Sequence, residues 1–400
     1  MNAPHVSTRG STSLPVLLLL ACLAPPSLAQ GQSVKFPRSS SVALWHLNPQ
    51  RIVTSDLDSD GHEDLVVTVR DDEQDYQAEG NVVAFFGDGQ GGFTPSDLLD
   101  ESLGHRPVAL ALLDFDGNGV TDVVWGETTS CCFYPGQVHV LLGSGGRDFV
   151  ETAVLQAGGK PSDFAGGDFD ADGVQDLIVS TRDGAPRLML FRGNGDGTFE
   201  APSALPGAAA LDSRRLVAAD FDRNGRLDVA AAHLNGVSVW LSGGAGSFLP
   251  PASAASIPYA EVLRAADLDR DGQVDLAVVR RYPSSLLVLR GNGDGTFAQL
   301  GSLPLLGTYP NDLVLADLDR DRILDASLTD EGNAVSILRG AGNGSFLPER
   351  RYGPVAWSPS GIAIGDWNED GALDLATPHR TLLYSDAIRL WFQAQKIRHR

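Results

Sequence analysis

The sequence predicts an all-β fold: a seven-bladed β-propeller of four-stranded blades, closed by an N-terminal strand that completes the last blade. Three observations carry that expectation. A nine-residue acidic pattern recurs seven times at a nearly constant step. Each copy is framed by short runs of alternating apolar and polar residues between glycine-rich turns, and helical 3.6-residue periodicity is absent. The last unit stops one strand short, and the start of the chain can supply that strand.

The chain opens on a segment expected to be removed. Arg9 is the one Lys or Arg before Lys35, and the apolar run LPVLLLLACLA follows at 14–24. That run suits the core of a secretory signal and is too short to span a bilayer. Small residues Ser27 and Ala29 place cleavage after Ala29, giving a signal peptide at 1–29 and a propeller at 30–400. A secreted, extracellular, periplasmic or cell-surface location follows. The lesser alternative is a lipobox at Leu19-Leu20-Ala21-Cys22, with Cys22 lipidated. No other stretch is apolar enough to cross a membrane as a helix. The net charge of −21 argues against nucleic acid and anionic membranes as partners.

The repeat reads DLDSDGHED at 56–64, DFDGNGVTD at 114–122, DFDADGVQD at 168–176 and DFDRNGRLD at 220–228. It continues as DLDRDGQVD at 267–275, DLDRDRILD at 317–325 and DWNEDGALD at 366–374. Successive starts differ by 58, 54, 52, 47, 50 and 49 residues. An alternating run such as RRLVAA or NDLVLA precedes each copy, and a short apolar segment such as LVVTV or LIVS follows. A third strand-like run leads into a glycine turn and Phe, as in LMLFRGNGDGTF, and a weaker fourth run comes after. The seventh unit ends at AIRLWF, without glycine turn or fourth strand. Phe36-Pro37 matches the Phe that opens the fourth strand elsewhere, so the N-terminus is expected to close the ring. A closed ring leaves no long open edge.

The nine-residue loop gathers hard oxygen ligands. Position 1 is Asp56, Asp114, Asp168, Asp220, Asp267, Asp317 and Asp366; position 3 is Asp58, Asp116, Asp170, Asp222, Asp269, Asp319 and Asn368. Position 5 is Asp60, Asn118, Asp172, Asn224, Asp271, Asp321 and Asp370; position 9 is Asp64, Asp122, Asp176, Asp228, Asp275, Asp325 and Asp374. Position 7 varies freely (His62, Val120, Val174, Arg226, Gln273, Ile323, Ala372), as a ligand that offers only its backbone carbonyl would. Six to eight oxygens are what Ca²⁺ requires.

Acidic hairpin turns are the bland alternative. Electrostatics favours the ion, because the ligand positions hold 25 of the chain's 51 acidic residues, which would otherwise repel at close range. Up to seven Ca²⁺ are therefore expected. In the sixth loop Arg322 replaces the glycine of position 6, where a left-handed backbone is required. That site is expected to be the weakest.

This DxDxDGxxD loop with a downstream GxGxGxF turn resembles the FG-GAP/VCBS repeat family, of which the integrin α-chain N-terminal propeller is a relative. The resemblance covers about Phe36 to Phe392. It implies that the calcium loop joins the first and second strands of each blade, on one face of the disc. Family members serve adhesion, carbohydrate binding and accessory roles in enzymes, so the ligand is not implied.

The opposite face is then expected to carry the turns after the second strands. Arg70, Glu127, Arg182, His233, Arg280, Arg281, Asp330, His379 and Arg380 fall there at equivalent positions. Such a rim is more basic than the chain as a whole and could hold an acidic glycan through Arg; a solvated rim without function is the alternative. Two insertions, 71–80 and 128–137, break the symmetry, and the second could carry a vicinal disulfide between Cys131 and Cys132. The expected role is a binding, adhesion or scaffolding module for an extracellular protein or glycan. An extracellular polysaccharide-active, lyase-like enzyme is the alternative, with His233, His379 and Tyr282 as acid–base candidates, although no nucleophile elbow, zinc signature or phosphate loop appears.

Overall fold

The computed structural model describes residues 34–44, 47–71, 80–98, 106–128, 136–183, 187–208, 211–353, 359–379 and 387–393. The segment 1–29 with Cys22, the cysteines Cys131 and Cys132, Arg380 and most of both insertions lie outside the described residues. Seven four-stranded antiparallel sheets form; six follow chain order, the fourth with a separate two-stranded hairpin (Ser242–Gly244 with Ser247–Phe248) between its third and fourth strands, and the last takes one strand from the start of the chain. In the fourth blade, for example, Ser213–Ala219 pairs with Asp228–His233, then Gly236–Trp240, then Ala252–Ala255. In the last blade Ala363–Gly365, Asp374–His379 and Ala387–Phe392 are joined by Arg38–Ala43 from the start of the chain. The N-terminal strand therefore closes the ring.

Burial grades outward along each blade. Second strands such as Asp122–Glu127 and Asp228–His233 are buried at every residue, because neighbouring blades cover both of their faces. That double coverage is why they read as continuous apolar runs rather than alternating ones. Outer strands such as Phe297–Pro304 are mostly exposed.

The core lies between blades. Each of seven hydrophobic clusters spans two adjacent blades, and the cluster holding Leu65, Phe85, Trp367 and Ile388 joins the first blade to the last. Stability in such a ring rests on nearest-neighbour interfaces. Position 2 of every acidic loop (Leu57, Phe115, Phe169, Phe221, Leu268, Leu318, Trp367) is buried in one of these interfaces. The Phe of the next blade's glycine turn meets it there: Phe115 with Phe199 at 5.3 Å and Phe221 with Phe297 at 5.5 Å between centroids. Acidic loop and glycine turn are thus two halves of one interblade contact.

Candidate metal centres

Every acidic loop joins the first and second strands of its blade and folds around its own carboxylates. In the first loop, Asp56 accepts the N–H groups of Asp60 at 3.2 Å and Gly61 at 3.0 Å, and Asp60 accepts that of His62 at 2.9 Å. The same bonds recur in the second loop, from Asn118, Gly119 and Val120. This winding needs two left-handed residues per loop. Position 6 takes it at Gly61 (φ 92°) through Gly371 (φ 79°), and Arg322 takes it at φ 68°. A Cβ at Gly61, Gly119, Gly173, Gly225 or Gly272 would touch nothing within 4 Å, so glycine is there for its dihedral and not for space. Position 4 is left-handed too, including Ser59, Arg223 and Glu369 (φ 60°, 62° and 50°). Nothing in the varied residues at position 4 announces this.

The winding brings carboxylates together. In the first four loops, oxygens of positions 1, 3 and 9 lie within 4.8 Å of one another: Asp56, Asp58 and Asp64; Asp114, Asp116 and Asp122; Asp168, Asp170 and Asp176; Asp220, Asp222 and Asp228. In the fifth, Asp267, Asp269 and Asp271 converge. Several of these clusters could hold a metal ion, and an all-oxygen donor set suits a hard cation.

Position 3 adds a sharper sign. Asp58 turns Oδ2 to Arg147 of the second blade at 3.0 Å, and Asp319 turns Oδ2 to Arg339 at 3.0 Å. The other oxygen of each, Oδ1, is buried without a hydrogen-bond donor. A carboxylate oxygen withdrawn from water and left without a donor is costly unless a cation faces it.

Position 9 does more than its sequence role implied. Asp64 accepts Leu57 N–H and Gly87 N–H, both at 2.8 Å, and so ties the loop to the end of the third strand. Asp122, Asp176, Asp228, Asp275 and Asp325 repeat the tie. In the last blade, which lacks the glycine turn, Gln393 donates its N–H to Asp374 at 2.8 Å and its side-chain amide to Leu318 O at 2.9 Å. Burial, reinforced by the neighbouring carboxylates, raises Asp64, Asp122, Asp176 and Asp228 to about 6 and Asp325 and Asp374 to about 7, although the N–H donors pull the other way.

FG-GAP-like repeats match residues 56–125, 168–231, 220–278 and 267–327, together more than half of the chain. The chain belongs to the FG-GAP-like repeat family. No curated protein matches. Solved structures share the fold at low identity. An Agrocybe aegerita lectin described as recognising non-reducing terminal N-acetylglucosamine is 19% identical, with TM-score 0.53, over 78% of this chain and 80% of its own. BBS1N, solved in complex with ARL6DN, is 12% identical with TM-score 0.52 over 92% and 97%. The periplasmic gluconolactonase PpgL of Pseudomonas aeruginosa is 17% identical with TM-score 0.53 over 76% and 86%.

On the face of this FG-GAP propeller opposite the acidic loops, the residues expected to form one basic rim are divided. His233 is buried, with Nε2 3.0 Å from Ser238 Oγ, and desolvation lowers its pKa. His379 is buried as well, beside Thr377 O at 3.4 Å. Both sit within second strands that neighbouring blades cover, which corrects their placement on an exposed rim. Arg280 donates to Pro283 O at 3.0 Å within its own hairpin, and Arg281 pairs with Glu331 at 2.9 Å. Asp330 pairs with Arg351 at 2.8 Å, and buried Glu127 lies 3.7 Å from His139.

Arg70 and Arg182 instead line a cavity of about 490 Å³ at the propeller axis, to which all seven blades contribute. Arg51, Lys160 and Arg215 line it too, and sequence reasoning missed them. Arg51 and Arg215 sit at a one-residue register shift near the start of their inner strands, a shift that recurs in six blades. Such bulges re-aim side chains.

Proposed function

We propose that this chain is a secreted, calcium-binding FG-GAP propeller that acts as a binding or scaffolding module for an extracellular glycan or protein. The observation that carries the calcium assignment is the convergence of loop carboxylates, with Asp58 Oδ1 and Asp319 Oδ1 buried and lacking a donor. Oxygen-only sets of this kind favour Ca²⁺ over thiolate- or imidazole-seeking metals. Asp, or Asn at three positions, would supply the side-chain ligands of all seven loops. Seven Ca²⁺ would offset two thirds of the net charge of −21. The apolar segment at 14–24 supports export, where millimolar calcium is met. Among the described residues no helix is long and apolar enough to cross a membrane.

Binding is favoured over polysaccharide cleavage because two of the acid–base candidates, His233 and His379, are buried and engaged inside their own strands. The acidic loops lie on one side of the disc, and the axial cavity opens among the turns of the other.

Thermal melting with and without a chelator at low ionic strength tests the reading. Chelation is expected to lower the melting temperature sharply, and added Ca²⁺ to restore it, because one site held at a hundredfold its Kd contributes about 2.7 kcal/mol. An unchanged melting curve would defeat the assignment. Glycan profiling of the calcium-loaded chain, with analysis for cleaved products, separates a binder from a lyase.

A further inference from the structure

We propose that the axial cavity binds an acidic saccharide by its carboxylate, with Arg182 and Arg51 as the anchoring cations. This rests on the reading of the chain as a binding module and names the ligand class for it.

The charges around the cavity do not balance among themselves. Its acids are already matched: Glu261 by Arg214 at 3.1 Å and Arg281 at 3.6 Å, and Asp312 by Arg264 at 2.8 Å and Arg215 at 3.7 Å. Asp163 accepts Leu216 N–H at 2.8 Å. Among the described residues, the Arg182 guanidinium has no hydrogen-bonded or ion-paired partner, and Arg51 reaches the Val108 carbonyl at a long 3.4 Å. Arg182 is solvent-exposed yet ringed by protein; desolvation and repulsion from Arg214 and Arg51 act against its charge and outweigh the attraction of Glu261 and Asp212. An anion placed between Arg182 and Arg51 relieves that repulsion, and a carboxylate matches the planar fork of guanidinium.

The rest of the lining selects what carries the carboxylate. Asn48, Gln50, Thr128, Ser162, Asn311 and Ser360 surround the cations, and among the described residues no aromatic ring lines the cavity. Hydroxyl and amide groups suit a ligand rich in hydroxyls. A peptide would find little apolar surface beyond Val108 and Pro161. The volume of about 490 Å³ falls in the range of small-ligand sites. A basic mouth within a chain of net charge −21 admits a short saccharide with one or two carboxylates and repels a more highly charged polyanion.

Titration calorimetry on the calcium-loaded chain tests this with glucuronate, digalacturonate, glucose, glucose 6-sulfate and triglutamate. The two uronates are expected to bind and glucose not to. Arg182→Gln and Arg51→Gln should each weaken uronate binding about tenfold or more, the worth of a charge-assisted hydrogen bond. Arg182→Gln should leave the melting temperature unchanged, because no partner is lost. Uronate affinity unaltered in both variants, absence of uronate binding, equal binding of glucose, or tighter binding of the sulfated sugar or triglutamate would each overturn the inference. Capture of a neutral glycan that neither variant disturbs would sink the mouth assignment and leave the module reading standing. Turnover of digalacturonate lost in Arg182→Gln would keep the carboxylate at the mouth and overturn the module reading instead.

Discussion

The backbone N–H of Ser242 donates to Oδ1 of Asp228 at 2.7 Å, while Oδ2 of the same carboxylate accepts Phe221 N–H at 2.8 Å. Asp228 is therefore a metal-ligand candidate and, independently, the buried acceptor that fastens loop to sheet. Among the described residues Asp222, two residues into the loop, accepts bonds only from Asn224, at 3.1 and 3.0 Å. The two residues should part company in the absence of metal.

Asp228→Asn turns an amide NH₂ toward one of the two N–H donors, and losing that acceptor costs about 1–3 kcal/mol. The loss should appear in urea denaturation even with chelator present. Asp222→Asn should leave chelated stability nearly unchanged and lower calcium affinity instead. Equal effects of both variants in chelator would show that position 9 has no structural role apart from the ion.

Much of this was legible in the sequence, and the parts that were not share a cause. Seven acidic loops, strand order and ring closure follow from spacing and local pattern, down to Phe36, which packs in the interface between the last two blades. What spacing does not record is contact between successive repeats. The edge-to-face pair of Phe221 and Phe297 joins an acidic loop to the next blade's glycine turn, although each motif is complete on its own. The same holds for the mouth. Arg51 and Arg215 read as isolated charges in inner strands, and neither the one-residue bulge beside each nor their meeting at the axis is written in the spacing. His233 read as a loop residue because it follows the apolar run of its repeat, yet the neighbouring blade covers the second strand to its end.

Arg322 departs from the other loops, and the structure confirms its left-handed backbone at φ 68°. Arg322 N–H still donates to Asp317 at 2.7 Å, so the loop closes despite the strain. A side chain held in that region costs on the order of 1–3 kcal/mol, against which glycine loses about 0.5–1 kcal/mol of chain entropy. Arg322→Gly should therefore stabilise the fold, by at most about 2.5 kcal/mol. It also removes a positive charge beside Asp317, Asp319 and Asp321, so calorimetry should find the weakest class of calcium sites tightened. Unchanged stability and affinity would mean that the sixth loop tolerates arginine without strain.

His139 should make stability depend on pH. Its ring stacks on Trp125 with centroids 4.0 Å apart and 8° between planes. Nδ1 lies 2.6 Å from Glu151, and Nε2 3.7 Å from buried Glu127. Burial alone would lower its pKa, but the two glutamates outweigh desolvation and hold it above the ordinary 6.5. A histidine whose folded pKa lies above its unfolded value stabilises the fold fully below pH 6.5, and that contribution is lost as pH rises through the folded pKa. Each unit of elevation is worth about 1.4 kcal/mol. Urea denaturation at fixed calcium should show stability falling as pH rises above about 6.5 in the wild type, with a flatter profile in His139→Phe, which keeps the stack but cannot be protonated. Parallel profiles for the two proteins would mean that His139 is neutral between its glutamates.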